Sequence, residues 1–201
     1  MTDTLPGGYF DALYARHDDP WGFETRWYER RKRAITLASL PEERYATVLE
    51  IGCSIGVLTE QLATRSDALL ATDVSAAALA QATTRLADQP HVTFELADAA
   101  APLPDGSFDL IVLSEVGYYF SPDAIGSLVE QIAQRLAEGG TVLACHWRHA
   151  VGDYPLSGDD VHVALNEGLG LERIVRHGER DFVLDVFTAD GRSVAERTGL
   201  V

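Results

Sequence analysis

The stretch that most constrains this chain is residues 47–56, TVLEIGCSIG. An apolar run ends at Glu50-Ile51, a turn bracketed by Gly52 and Gly56 follows, and VLTEQLA after it has helical spacing. Strand, tight turn and helix N-terminus in that order make a corner whose backbone amides face a ligand. Glycine lets the backbone approach what a Cβ would push away. The dinucleotide spacing G-x-G-x-x-G, begun at Gly52, requires glycines at 54 and 57, where the chain has Ser54 and Val57. The shorter G-x-G-x-G spacing fits Gly52 and Gly56, with Ser54 in the middle place.

The corner opens a regular alternation. Strands are expected at TVLEIG, ALLATDV, HVTFELAD, FDLIVLSEV and TVLACHW. Helices are expected between them, one capped by Ser75 and one opened by Ser121-Pro122 and closed by Gly139-Gly140. The near-continuous apolar strands suit a parallel sheet covered on both faces, and the alternation predicts a doubly wound α/β fold. Two later runs, Leu171–His177 and Phe182–Thr188, are joined by Gly178-Glu179-Arg180-Asp181 and read as a terminal hairpin. Ahead of the alternation, Tyr9–Ala15 reads as a short helix and Trp21–Leu40 as a longer one. In the longer one Trp27, Arg31, Ile35 and Ala38 share a face. The organisation expected is one domain over 1–201: a helical lid at 1–40, the α/β core at 41–188 and a tail at 189–201.

Composition narrows the partners. A formal charge of −15, from 31 acids and 16 bases, argues against nucleic acid, which needs a basic footprint. No apolar run reaches the roughly 18 residues of a membrane span, and the start lacks a signal-peptide pattern. A cytoplasmic protein without membrane partners is expected. Cys53 and Cys145 form no CxxC pair, and the six histidines lack metal-ligand spacing, so no metal is expected. The sequence leaves the oligomeric state open.

The turn, preceded by Glu50, resembles motif I of S-adenosylmethionine-dependent methyltransferases with a Rossmann-like fold. Asp73, about twenty residues on at a strand end, is placed to accept ribose hydroxyls, as it would in a nicotinamide enzyme. The resemblance implies more: Asp98 faces the adenine amino group, and Ser114-Glu115 face the methionine. It also implies the sheet order 3-2-1-4-5-7-6 with the last strand antiparallel. The cofactor set is then Glu50, Gly52, Cys53, Ser54, Gly56, Asp73, Val74, Asp98, Ala99, Ser114 and Glu115, with S-adenosyl-L-methionine as cofactor. Ser54, where the pattern has glycine, is its one irregularity.

A closer resemblance runs through YFDALYARHDDPWGFETRWYERRK, EIGCSIGVLT, SEVGYYF and HWRHAVGDYPLSGDDVH. These look like the nodulation protein S (NodS) group of methyltransferases, which act on the free amine of a deacetylated chitooligosaccharide. The resemblance implies that the N-terminal segment folds over bound cofactor. Arg31 then suits the methionine carboxylate, since a guanidinium can make two bonds to it, or else stays a solvated surface base. Trp27 either walls the cofactor or anchors helix to sheet, and Trp21 is placed with the acceptor.

Methyl transfer is a one-step displacement, so the protein mainly aligns donor and acceptor and excludes water. An amine acceptor must be neutral to attack. Glu115 is the first candidate to hold the amine and take its proton; Tyr118 is a second catalytic candidate. His146 after strand five is the alternative base, or else a buried, hydrogen-bonded histidine. Tyr118, Tyr119, Trp147, Arg148 and Tyr154, with Trp21, are expected to line a small-molecule acceptor groove, although adjacent tyrosines should point apart and leave one in the core. Two other readings stand beside amine methylation: methylation of a hydroxyl or carboxyl group, with His146 as base, and a non-catalytic cofactor-binding protein.

Overall fold

The computed structural model describes residues 3–201. Its strands are β1 Tyr45–Ile51, β2 Ser66–Asp73, β3 Val92–Leu96, β4 Phe108–Ser114, β5 Leu136–Trp147, β6 Glu172–Gly178 and β7 Phe182–Thr188. Its helices are α1 Gly7–Tyr14, α2 Trp27–Ala38, α3 Val57–Ala63, α4 Ala76–Arg85, α5 Pro122–Arg135, α6 Gly158–Gly168 and α7 Val194–Arg197. The strands form one sheet in the order β3-β2-β1-β4-β5-β7-β6. β1 to β5 pair in parallel, and β7 runs antiparallel to both β5 and β6. This is the architecture expected from the alternation and the terminal hairpin.

Successive strand residues face opposite sides, so each central strand feeds two cores. Leu49, Ile51, Ile111 and Leu113 pack with Ile125, Leu128 and Ile132 of α5 and Val161 and Leu165 of α6. Val48, Leu110, Val112 and Leu143 pack on the other side with Leu40, Leu62 and Leu79. Both faces of the sheet are thus covered, which is why the strands read as unbroken apolar runs. No helix among the described residues is long and apolar enough to cross a membrane.

Four local expectations are corrected. The second helix begins at Trp27, not Trp21, because Asp19 accepts from the Phe23 and Glu24 amides at 2.9 and 3.0 Å and holds the preceding residues in a turn. Its buried residues are Glu29, Lys32, Arg33 and Thr36; of the expected stripe Ile35 packs on the second core, Arg31 is half-buried, and Trp27 and Ala38 are exposed. Gly139 and Gly140 do not close α5: the helix stops at Arg135 and β5 starts at Leu136, with the glycines in a register shift where Phe108 pairs Leu136 but Leu110 pairs Thr141. Helix α6 was not anticipated; its N-terminus is a capping box in which Ser157 and Asp160 satisfy each other's backbone amides.

Candidate active site

The carboxyl ends of β1, β2, β4 and β5 open onto a cavity of about 500 Å³, closed above by the N-terminal segment and α2. Its first wall is the turn after β1. The Gly52 and Cys53 amides both donate to the Thr72 carbonyl at 2.8 Å, tying the turn to β2. Gly52 has φ 78°, and a Cβ there would come 2.1 Å from Val116 Cγ2, so only glycine lets the turns after β1 and β4 meet. Ser54 also takes a left-handed conformation, φ 52°, which is what the middle glycine of the pattern would supply. Its amide donates to Asp73 Oδ2 at 2.8 Å, and its hydroxyl is bonded to the Tyr14 hydroxyl of α1. Gly56, at φ 80°, packs against Ala82 of α4 and Leu86 just past its end; it fits helix to helix and does not line the cavity.

Asp73 lines the cavity with its carboxylate already oriented, Oδ1 accepting from the Ser75 amide at 2.9 Å. Burial raises its pKa. Of the residues singled out from sequence, Val74, Asp98, Ala99, Ser114, Glu115, Trp21, Tyr118, Tyr119, Trp147 and Tyr154 line the cavity. Tyr118 and Tyr119 both do so, although adjacent. They sit in a 3₁₀ turn, Gly117–Tyr119, and their rings meet edge to face at 4.7 Å. Tyr118 stacks on Tyr154, with centroids 5.0 Å apart and planes 13° apart.

Other placements differ. Trp27 is 68% exposed and does not line the cavity; its neighbour Tyr28 turns inward and meets Trp147 edge to face. Arg31 makes a two-bond pair with Glu179 of the β6–β7 turn at 2.7 and 2.8 Å, outside the cavity. That guanidinium, with help from His177, holds Glu179 down at about 2. Arg148 pairs with Asp159 and donates to the Glu179 carbonyl, also outside. His146 is fully buried: Nε2 accepts the Gly117 amide at 3.0 Å and Nδ1 lies 3.1 Å from His162. Burial first, then His162 and Lys32, hold its pKa well below the usual range. It cannot serve a bound acceptor as base.

The residue the sequence reasoning passed over is Lys32. Its Nζ lies 2.7 Å from Glu115 Oε1 and 3.0 Å from Glu29 Oε2, and it lines the cavity with both. Burial works against its charge, but the two carboxylates outweigh burial and raise its pKa. Glu115 has φ 60° and also accepts from the Tyr118 hydroxyl at 2.5 Å and the Trp147 amide at 3.1 Å. Beside it a recess of about 50 Å³ is lined by Glu29, Lys32, Arg33, Glu50, Gly52, Cys53, Ser54 and Ser114. Glu50 and Cys53 therefore face this recess and not the main cavity. Burial pushes Glu50 up to about 7. Glu50 Oε2 and Arg33 Nε are buried without a partner among the described residues.

A sequence profile of the nodulation protein S (NodS) family matches residues 13–166. The chain belongs to the nodulation protein S family. It is 30% identical to NodS of Rhizobium tropici over 82% of this chain and 71% of that protein. Against NodS of Sinorhizobium fredii the figures are 30%, 80% and 77%. Among solved structures, the N-methyltransferase NodS from Bradyrhizobium japonicum WM9 in complex with S-adenosyl-L-homocysteine aligns at TM-score 0.82 and 27% identity, over 90% of this chain and 97% of that one. A methyltransferase candidate from Pseudomonas syringae is 43% identical at TM-score 0.71, over 81% of this chain and 99% of that one. Membership in the NodS family places the chain among S-adenosylmethionine-dependent methyltransferases. Its NodS-like N-terminal block, YFDALY to WYERRK, is the part that brings Phe10, Tyr14, Trp21, Tyr28 and Lys32 over the cavity.

Proposed function

We propose that this chain N-methylates the free amine of a small amino-sugar-like or oligosaccharide-like acceptor. S-adenosyl-L-methionine-dependent methyl transfer comes with the family; the amine and the sugar are the further reading. One observation carries the choice of amine. His146, the base that hydroxyl methylation would call on, is sealed behind the wall with both ring nitrogens engaged, whereas the Glu115 carboxylate faces the cavity. A neutral amine has its own lone pair and needs orientation more than a strong base.

The residues fit the cofactor. The recess holds an unpartnered Arg33 Nε and an unpartnered Glu50 oxygen, a cation and an acid suited to the carboxylate and ammonium ends of an amino acid. In this reading Arg33 would take the role expected of Arg31. On the same reading Asp73 would accept from the ribose hydroxyls, and Asp98 with Ala99 would face the adenine; all three line the cavity. When bound, the cofactor supplies a methyl group already activated on a sulfonium. The chain's part is alignment. Glu115, fixed by Lys32, Tyr118 and the Trp147 amide, has lone-pair capacity left for an acceptor N–H. Tyr28, Trp147 and Tyr154 wall the acceptor and exclude water, and aromatic faces suit both a sugar face and an amine. Residues 3–40 act as the lid over this arrangement.

The test is methyl transfer from S-adenosyl-L-methionine across amino sugars, simple amines and matched hydroxyl acceptors, read by mass spectrometry. Transfer to amino sugars with little to their hydroxyl counterparts is expected. Transfer confined to hydroxyl or carboxyl groups overturns the reading.

A further inference from the structure

Behind the Glu115 wall a chain of buried side chains crosses from β7 to the turn that carries Tyr118. Asp185 Oδ2 of β7 lies 2.7 Å from His162 Nδ1 of α6. His162 Nε2 lies 3.1 Å from His146 Nδ1 of β5, and His146 Nε2 accepts the Gly117 amide at 3.0 Å. Asp185, His162 and His146 are all buried, and none lines the cavity.

The backbone amide decides the protonation of the whole chain. It can only donate, so His146 Nε2 must be the bare nitrogen. The His146 proton then sits on Nδ1 and points at His162 Nε2, which must be bare in turn. The His162 proton sits on Nδ1 and points at Asp185. One set of tautomers satisfies every contact, with each ring carrying its single proton on Nδ1 and Asp185 Oδ2 accepting at the end. Arg173 stands 3.6 Å from the same Asp185 oxygen. The chain is not a proton wire, because it ends on an amide that exchanges no proton with the site.

What the chain ends on is the turn Gly117–Tyr119. Tyr118 packs edge to face on His146 at 5.5 Å, and its hydroxyl donates to Glu115. The fit leaves no slack. A Cβ at Gly117 would lie 2.4 Å from Val161 of α6 and 3.0 Å from His146 Nε2. A Cβ at Gly158, the first residue of α6, would lie 2.2 Å from the Trp147 carbonyl.

We propose that His162 and Asp185 are positioning residues for methyl transfer: they hold the His146 ring in the tautomer that accepts the Gly117 amide, and through that amide they fix Tyr118 on Glu115. The effect on turnover rests on the reading that the Glu115–Tyr118 edge receives the acceptor; the tautomers and the turn do not.

Two variants separate positioning from mere support. His162→Gln keeps an acceptor and a donor on one side chain, whereas His162→Leu keeps bulk and loses both. In the full-length protein, hydrogen exchange over residues 116–120 should speed up at least about tenfold in His162→Leu and stay near wild type in His162→Gln. The acceptor kcat/KM should fall about tenfold in the leucine variant and recover in glutamine, while S-adenosyl-L-homocysteine affinity stays within about twofold in both. Unchanged exchange in His162→Leu, or cofactor affinity falling in step with kcat/KM, overturns the proposal. Should the leucine variant not fold, ring nitrogen-15 NMR of the wild type decides: two histidines carrying the proton on Nδ1 support the chain, and none doing so overturns it. A wild type that methylates no amine sinks the acceptor reading and leaves the tautomer and exchange results to stand or fall alone.

Discussion

Lys32 Nζ lies 2.7 Å from Glu115 Oε1 and 3.0 Å from Glu29 Oε2, bridging α2 to the turn after β4. It is the only lysine in the chain, buried on the face of α2 that covers the cavity. These ion pairs compensate the charged inner face of α2, beside Tyr28, Ile35 and Leu37, which pack on the second core. Removing one partner of a buried pair leaves the other charge without compensation, which typically costs about 3–5 kcal/mol. Lys32→Met should therefore lower the thermal midpoint sharply, and Lys32→Met with Glu29→Gln should recover part of the loss. Calorimetric melting of the three proteins checks this. A single variant as stable as wild type would mean that α2 docks through other contacts.

Ser54 holds a left-handed backbone and a hydroxyl contact to Tyr14. Ser54→Gly relieves the backbone and loses the contact, two effects of about 1 kcal/mol each that oppose one another. Ser54→Val forces a β-branched residue into the same conformation, which is a far rarer state. Near-neutral stability is expected for glycine and a clear loss for valine. S-adenosyl-L-homocysteine affinity should drop in valine alone, since the strained turn carries the Gly52 wall. Chemical denaturation and titration calorimetry on both variants give the answer; a harmless valine is the result that contradicts the account.

The sheet was legible because each of its signals is local. Apolar runs, glycine turns and the hairpin turn at Gly178–Asp181 each lie within a few residues and mark the strands and the terminal hairpin, while the strand order came from the family resemblance. The cavity-facing acids Asp73, Asp98 and Glu115 were legible for the same reason, each standing at or just past a strand end. The lid was misread where periodicity was trusted. Trp27, Arg31, Ile35 and Ala38 share a stripe, but Lys32 turns inward to pair with Glu115 and Glu29, and Trp27 is left exposed. Helix α6 had a signal, Ser157-x-x-Asp160 followed by Val161 and Leu165, that its many acids and glycines obscured. His146 looked available at a strand end; its partners come from the 3₁₀ turn and α6, contacts that only the fold makes.

Glu50 gives stability a definite pH dependence. Burial raises its folded pKa to about 7, above the ordinary glutamate value. The folded state thus holds a proton that the unfolded state has released, so stability falls as pH rises from the ordinary glutamate range through about 7. Above that point the charged carboxylate costs on the order of 3 kcal/mol. Glu50→Gln should match wild type in mild acid and exceed it at alkaline pH. Thermal melts across that range would show two curves that diverge upward in pH; parallel curves would place the Glu50 charge elsewhere in the balance.

Arg31 and Arg33 are two residues apart on α2 and should behave differently. Arg31 is occupied by Glu179 outside the cavity, while Arg33 lines the recess with Nε unpartnered among the described residues. Arg33 also donates to the Phe23 carbonyl at 2.7 Å, so it is held in place before any ligand arrives. A charge-assisted bond to a carboxylate is worth about 1.5–3 kcal/mol, or roughly tenfold to a hundredfold in affinity. Arg33→Ala should weaken S-adenosyl-L-homocysteine by that factor. Arg31→Ala should leave the affinity within about twofold, because an exposed pair contributes little. Decarboxylated S-adenosyl-L-homocysteine sharpens the comparison: if Arg33 holds the carboxylate, Arg33→Ala loses little affinity for this analogue, whereas an equal loss for both ligands would show that Arg33 acts only by shaping the lid.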